Sequence, residues 1–186
     1  MQSQMKYAIL WITVCIALCN SRASAEHLVL DADTQINLPS GFDAELLYEV
    51  PASQGSWVAM AFDPKGRLIV SDQDDKGVFR LTLTETEGAG VRVEHLEGFP
   101  YLPINWGRRR VGGALGFLYA FDSLYMSSMK GFYRIRDTDG DDTFDEFTLL
   151  KQLGVGYEHS AHSIIKTEDG QGLYLVTGNH TPLPPG

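Results

Sequence analysis

Cysteine is nearly absent from this chain: Cys15 and Cys19 are the only two in 186 residues, and both lie close to the start. The segment that holds them has the layout of an export signal. Lys6 supplies a positive start, Tyr7 to Cys19 is an apolar run short for a membrane span, and Ala23-Ser24-Ala25 fits the small-residue rule for cleavage. Leu18 is too large for the residue before a lipidated cysteine, and a retained membrane anchor is the alternative reading. The expectation is a signal at 1–25, a domain at 26–186, and a secreted, periplasmic or cell-envelope location. Cleavage leaves no cysteine, which excludes a disulfide, a thiolate metal site and a Cys-x-x-Cys-His haem attachment from the mature chain.

Positive charge is scarce as well. Losing Lys6 and Arg22, and no acid, leaves 13 basic against 24 acidic residues, a balance of −11. Such a surface disfavours nucleic acid and anionic lipid, which need clustered cations. The one basic cluster, Arg108-Arg109-Arg110, reads as a solvated loop. Helix-period runs of useful length are missing beyond the leader. Short β-rich runs alternate there with Gly, Pro, Asp and Ser.

What the chain does have is an echo of itself. Lys76-Gly77-Val78-Phe79-Arg80-Leu81 returns 54 positions later as Lys130-Gly131-Phe132-Tyr133-Arg134-Ile135. Leu68-Ile69-Val70-Ser71 precedes the first copy, Leu124-Tyr125-Met126-Ser127 the second, and Leu173-Tyr174-Leu175-Val176-Thr177 is a third relative. Repeats of about 40–50 residues built from short strands predict an all-β fold of the β-propeller kind, with about two and a half blades. Strands are expected at 42–50, 57–62, 67–71, 77–83 and 91–96, then at 116–121, 124–128, 131–136 and 146–152, then from His162 and over 173–177. Asp63-Pro64-Lys65-Gly66 has turn chemistry. Because a propeller needs roughly four to eight blades to close, the chain is expected to be a fragment of a longer protein. A small open β-sandwich is the rival fold.

Three segments carry candidate chemistry. Glu158-His159-Ser160-Ala161-His162 places two imidazoles and a carboxylate just before a strand, and a histidine near its ordinary pKa of about 6.5 can accept a proton at neutral pH. The acidic run from Asp137 to Glu146 offers Asp137, Asp139, Asp141, Asp145 and Glu146 as oxygen ligands for a hard cation such as Ca2+. The spacing is not that of an EF-hand, and an acidic hairpin tip without metal remains open. Asp72-Gln73-Asp74-Asp75 faces either a central channel or solvent. Asn179-His180-Thr181 matches a glycosylation sequon.

The chain resembles the soluble quinoprotein glucose/sorbosone dehydrogenase propellers, and within them the version that forms the N-terminal part of exported bacterial proteins labelled membrane-bound dehydrogenase or haem-binding. The likeness lies in Phe62 through Gln73, in Gly113 to Gly116 with Tyr119 to Tyr125, in Arg136 through Glu146, and in Glu158 through Asn179. It implies a six-bladed ring and an oxidoreductase acting on a sugar or alcohol with pyrroloquinoline quinone (PQQ). His159 would be the general base, with Glu158 orienting it and His162 its neighbour or substitute. Gln73, Asn179 and His180 would be the cofactor contacts. The partners implied are the remaining blades and a downstream haem module. Ser163 stands where the family has arginine, and Val111 where a glutamine approaches the quinone. Both suit the alternative of a non-catalytic propeller that binds carbohydrate or a protein of the cell envelope.

Overall fold

The structure is a computed structural model, and it describes residues 29–30, 37–42, 44–84, 90–99, 104–106, 109–111, 113–129, 131–154 and 159–182. The signal segment, the boundary at residue 25 and Glu158 lie outside these. The chain divides into two compact units, Met1–Leu46 and Leu47–Gly186. In the first, β1 (Val29–Leu30) and β2 (Asn37–Leu38) form a short antiparallel pair.

The second unit is built from antiparallel strands, with no α-helix among the described residues. β3 (Trp57–Phe62), β4 (Leu68–Asp72), β5 (Val78–Leu83) and β6 (Val91–Leu96) form one four-stranded meander. β7 (Ile104–Trp106) and β8 (Arg109–Val111) form a hairpin. A second meander consists of β9 (Ala114–Ala120), β10 (Ser123–Ser128), β11 (Gly131–Arg136) and β12 (Glu146–Gln152). β13 (Ala161–Lys166) and β14 (Leu173–Thr177) close the described chain as another hairpin. The protein is therefore all-β.

The expected strands recur with small shifts and one failure. Residues 44–50 are not a strand. Among the described residues no strand pairs with them, and Tyr48 is held instead by its ring, stacked on Trp57 at 5.6 Å, and its hydroxyl, donating to Gln54 Oε1 at 3.0 Å. The expected loop at the arginine triplet is also corrected: Arg109 and Arg110 belong to β8, where Arg110 pairs with Asn105. Ile104, Trp106 and Val111 supply the β-forming residues that make a hairpin there.

Alternation along the strands makes two-faced sheets that stack in layers. One face of the first meander brings Ala59, Ile69 and Val78 against Phe117, Leu124, Met126, Tyr133 and Ile135 of the second. The opposite face of the second meander, Tyr125 and Ala120 with Leu118 and Phe132, receives Ile164, Leu173 and Leu175 from the β13–β14 hairpin. Ile69, Leu124 and Ile135 are fully buried. Burying each contributes about 1.5–3 kcal/mol, so these layers are what hold the strands together.

The repeat is closer than the sequence indicates. Each first strand bulges by one residue against its partner: Val58 in β3, Leu115 in β9 and His162 in β13. An extra residue bends the strand and turns its side chain away from the ladder. The three bulges occupy the same structural position, so His162 corresponds to two apolar residues in the preceding layers.

Candidate functional site

The antiparallel connections sort the loops of the second unit to two ends. At one end lie the entrances of β3, β9 and β13, the β4–β5 loop and the exit of β14. At the other lie the β3–β4 turn, the β11–β12 loop and the β13–β14 turn. The histidines gather at the first end and the acidic loop at the second.

At the histidine end, β9 starts between its neighbours. The Ala114 N–H donates to Ser71 Oγ at 3.0 Å, and the Gly113 N–H to the Gln73 carbonyl at 3.4 Å. On the other side a Cβ on Gly116 would overlap the His162 carbonyl oxygen, so only glycine lets β9 pass beneath β13. Gln73, half-buried, and His162, exposed, therefore flank the entrance of β9 from opposite sides.

His159 and His180 are brought together by the same device. A Cβ on Gly178 would collide with the His159 carbonyl oxygen, and the Gly178 N–H donates to the Ser160 carbonyl at 2.7 Å. The entrance of β13 and the exit of β14 are thereby pressed against each other. The two imidazoles meet edge to face with centroids 4.8 Å apart, and the His180 N–H donates to the His159 carbonyl at 3.4 Å. Both are exposed, as is Asn179 beside them. Two adjacent imidazoles in water can accept, hold and pass a proton.

Asp72 does not face solvent or a channel. It is 1% exposed and organises the β4–β5 loop, accepting from the N–H groups of Ser56 at 2.7 Å, Asp74 at 3.0 Å and Lys76 at 2.9 Å. Lys76 is the one Lys or Arg among the described loop residues of this end, and it pairs with Asp75 at 3.0 Å. That hydrogen bond raises the Lys76 pKa above its ordinary value. A tricarboxylate quinone needs several cationic donors. Neutral amides, imidazoles and one committed lysine do not fit it, so the described residues by themselves make no cradle for that cofactor.

At the opposite end, ion pairs link the two meanders. Asp63 is buried and accepts from the Lys65 and Arg67 N–H groups at 2.9 Å each and from Arg67 Nε at 2.7 Å, which shapes the β3–β4 turn. Arg67 then reaches across to the second meander, donating both terminal nitrogens to Asp142 at 2.5 and 2.6 Å. Lys65 Nζ lies 3.0 Å from the same carboxylate. Arg80, only 3% exposed, binds it at 3.2 Å and the Asp142 carbonyl at 3.0 Å. The Arg67 hydrogen bonds hold the Asp142 carboxyl well below the usual carboxylate range, despite an opposing effect of burial. Arg67 is raised in return, chiefly by Asp142.

The residues expected to bind metal are split. Asp137, Asp139 and Asp141 present carboxylate oxygens within 4.8 Å of one another. Asp145 is instead held by Thr138, through its N–H at 2.9 Å and its hydroxyl at 2.6 Å. Glu146 pairs with Arg134 at 3.1 Å and Arg136 at 3.7 Å. Asp137 already accepts the Gly140 and Asp142 N–H groups at 2.7 and 2.8 Å. A cleft of about 270 Å³ lies between the meanders here, lined by Lys65, Arg67 and Arg80 and by Asp63, Asp137 and Asp142. Its charges compensate one another, which suits a joint between layers better than a ligand site.

Sequence reasoning missed Asp142 as the residue that joins the layers and Asp63 as the one that fixes Arg67 for it. The Asp63-Pro64-Lys65-Gly66-Arg67 run, with an acid and a base four residues apart across a turn, was the available signal. Set against family models, curated proteins and solved structures, the chain finds no match.

Proposed function

We propose that the stacked layers are blades of a β-propeller, and that its histidine end binds a hydroxylated small molecule, a sugar or alcohol, for oxidation of the quinoprotein dehydrogenase type. The observation that carries this reading is the His159–His180 pair, exposed at 4.8 Å where the first strands of three layers begin. Three first strands that bulge at the same position support the blade assignment. In this reading His159 takes the substrate hydroxyl proton and His180 shares it. Gln73 and Asn179 offer amides to the substrate hydroxyls. The oxidation would need the electron acceptor that the resemblance implies, and the described residues alone do not fit it.

Ser163, exposed where the related enzymes have arginine, favours a second reading, a propeller that binds carbohydrate without turning it over. Dye reduction by a panel of aldoses and alcohols, with PQQ and calcium supplied, separates the two. The first reading expects reduction that His159→Ala abolishes. Binding of sugar with no reduction in any mixture would transfer the case to the second.

A further inference from the structure

The histidine end is built for a second kind of chemistry besides proton transfer. His159 and His180 are exposed, with ring centroids 4.8 Å apart and ring planes inclined at 61°. Neutral imidazole is the commonest side-chain ligand for metal ions. Two imidazoles bound tetrahedrally to one zinc, at Zn–N distances of about 2.0–2.1 Å, have ring centroids about 5 Å apart. The separation found here matches that of a chelating pair, and rings set edge to face can share an ion without clashing.

The backbone beneath the rings is already fixed. Ser160 follows His159 and Thr181 follows His180, and these two neighbours are 1% and 8% exposed. The Thr181 N–H closes its turn by donating to the Gly178 carbonyl at 3.1 Å, and Gly178 abuts the His159 carbonyl. Preorganisation of this kind spares an ion the cost of ordering its ligands. The Thr181 hydroxyl, in the same turn as His180, is buried with no hydrogen-bond partner among the described residues. A buried polar group left unsatisfied calls for a water or an ion beside it. Charge agrees with a cation: around the β4–β5 loop at this end, Asp72, Asp74 and Asp75 stand against Lys76 alone.

We propose that His159 and His180 chelate a divalent transition-metal ion of the zinc type, with water in its remaining positions. Imidazole nitrogen selects zinc, copper or nickel, whereas calcium takes oxygen ligands, so the acidic loop and the histidine pair call for different ions. The site stands without the dehydrogenase reading, because it needs only the two rings. It also bears on that reading. The ion takes an imidazole lone pair that would otherwise accept a proton, so a loaded site withholds His159 as a base.

Zinc chloride titrated into the purified chain supplies the test. Nitrogen-15 spectra of the imidazole rings should show the His159 and His180 signals shifting together with zinc and staying in place with calcium chloride. By calorimetry His159→Ala and His180→Ala should each lower zinc affinity at least about tenfold, since loss of even an outer partner of a metal ligand costs that much. His95→Ala removes a histidine paired with Glu97 on β6, and it should bind zinc as the parent does. A parent chain that takes up no zinc overturns the proposal. So do variants of the pair that bind as tightly as the parent, or ring shifts at His95 in place of the pair. The ring spectra use the unaltered chain, so they decide the matter even where a variant fails to fold. Absence of dye reduction with zinc uptake intact would strike only the dehydrogenase reading.

Discussion

The two ends of the layered unit use polar residues in opposite ways. At the acidic end the charges between the meanders are matched: Asp63 with Arg67, and Asp142 with Arg67, Lys65 and Arg80. At the histidine end His159, His162, Asn179 and His180 are exposed, and glycine lets the backbones beneath them touch. A joint must satisfy its charges because an unpaired buried ion is costly. A reactive end must leave its groups accessible. The molecule thus keeps its electrostatic investment away from the place where chemistry is proposed.

The sharpest way to break this division is at His159. Removing a general base costs about 10²–10⁴-fold in turnover. His159→Ala is expected to lower dye reduction by that order and to leave the melting temperature within a degree or so of the parent, since its ring is exposed. A drop in melting temperature larger than the drop in turnover can explain would make His159 a packing residue and erase the contrast.

The reverse experiment addresses the acidic end. Asp142→Asn removes the carboxylate shared by three cations, one of which, Arg80, is almost wholly buried. Breaking a fully buried pair costs about 3–5 kcal/mol. Asp142 is 37% exposed and solvent screening reduces the cost, so about 2 kcal/mol is expected. In a domain of this size that lowers the melting temperature by roughly 4–8 °C, with turnover per folded molecule unchanged. An unchanged melt would show that the layers are joined by their apolar faces alone.

Acid sharpens the same point. Because Asp142 titrates below its ordinary range when folded, the stability it supplies is fully present above the unfolded carboxylate value and is lost as pH falls below it. The difference between the parent and Asp142→Asn should therefore stay constant from pH 7 to about 4 and shrink only in stronger acid. A difference that fades between pH 7 and 5 would assign the effect to a histidine and refute the joint as described.

How much of this contrast was readable beforehand depends on what local chemistry can carry. The strands 57–62, 91–96, 131–136 and 146–152 were legible because turn residues bound short β-forming runs at each end. Residues 44–50 looked similar but lacked a neighbour to pair with, which no local pattern reveals. The bulges at Val58, Leu115 and His162 were invisible, since one inserted residue leaves composition and alternation almost unaltered. The joint was invisible for a different reason. Six carboxylates crowd residues 137–146, and the one that matters is selected by a left-handed backbone at Asp142, φ 75°, and by an arginine 75 positions away. His159 and His180 were both named from the sequence, but their meeting depends on Gly178, a residue with no chemistry of its own.

The smallest expected effect concerns the three carboxylates that the joint leaves over. Asp137, Asp139 and Asp141 lie close enough for a hard cation, yet backbone N–H groups already hold each of them. Two exposed charges about 6 Å apart repel by only ~0.7 kcal/mol in water, so the loop keeps its shape without an ion. Calcium should accordingly raise the melting temperature by no more than a degree or two, and a chelator should reverse it. A rise as large as the loss in Asp142→Asn would mean that the ion, and not the arginines, fastens the second meander to the first. The acidic end would then be a metal site, and the comparison between the two ends would have to be drawn again.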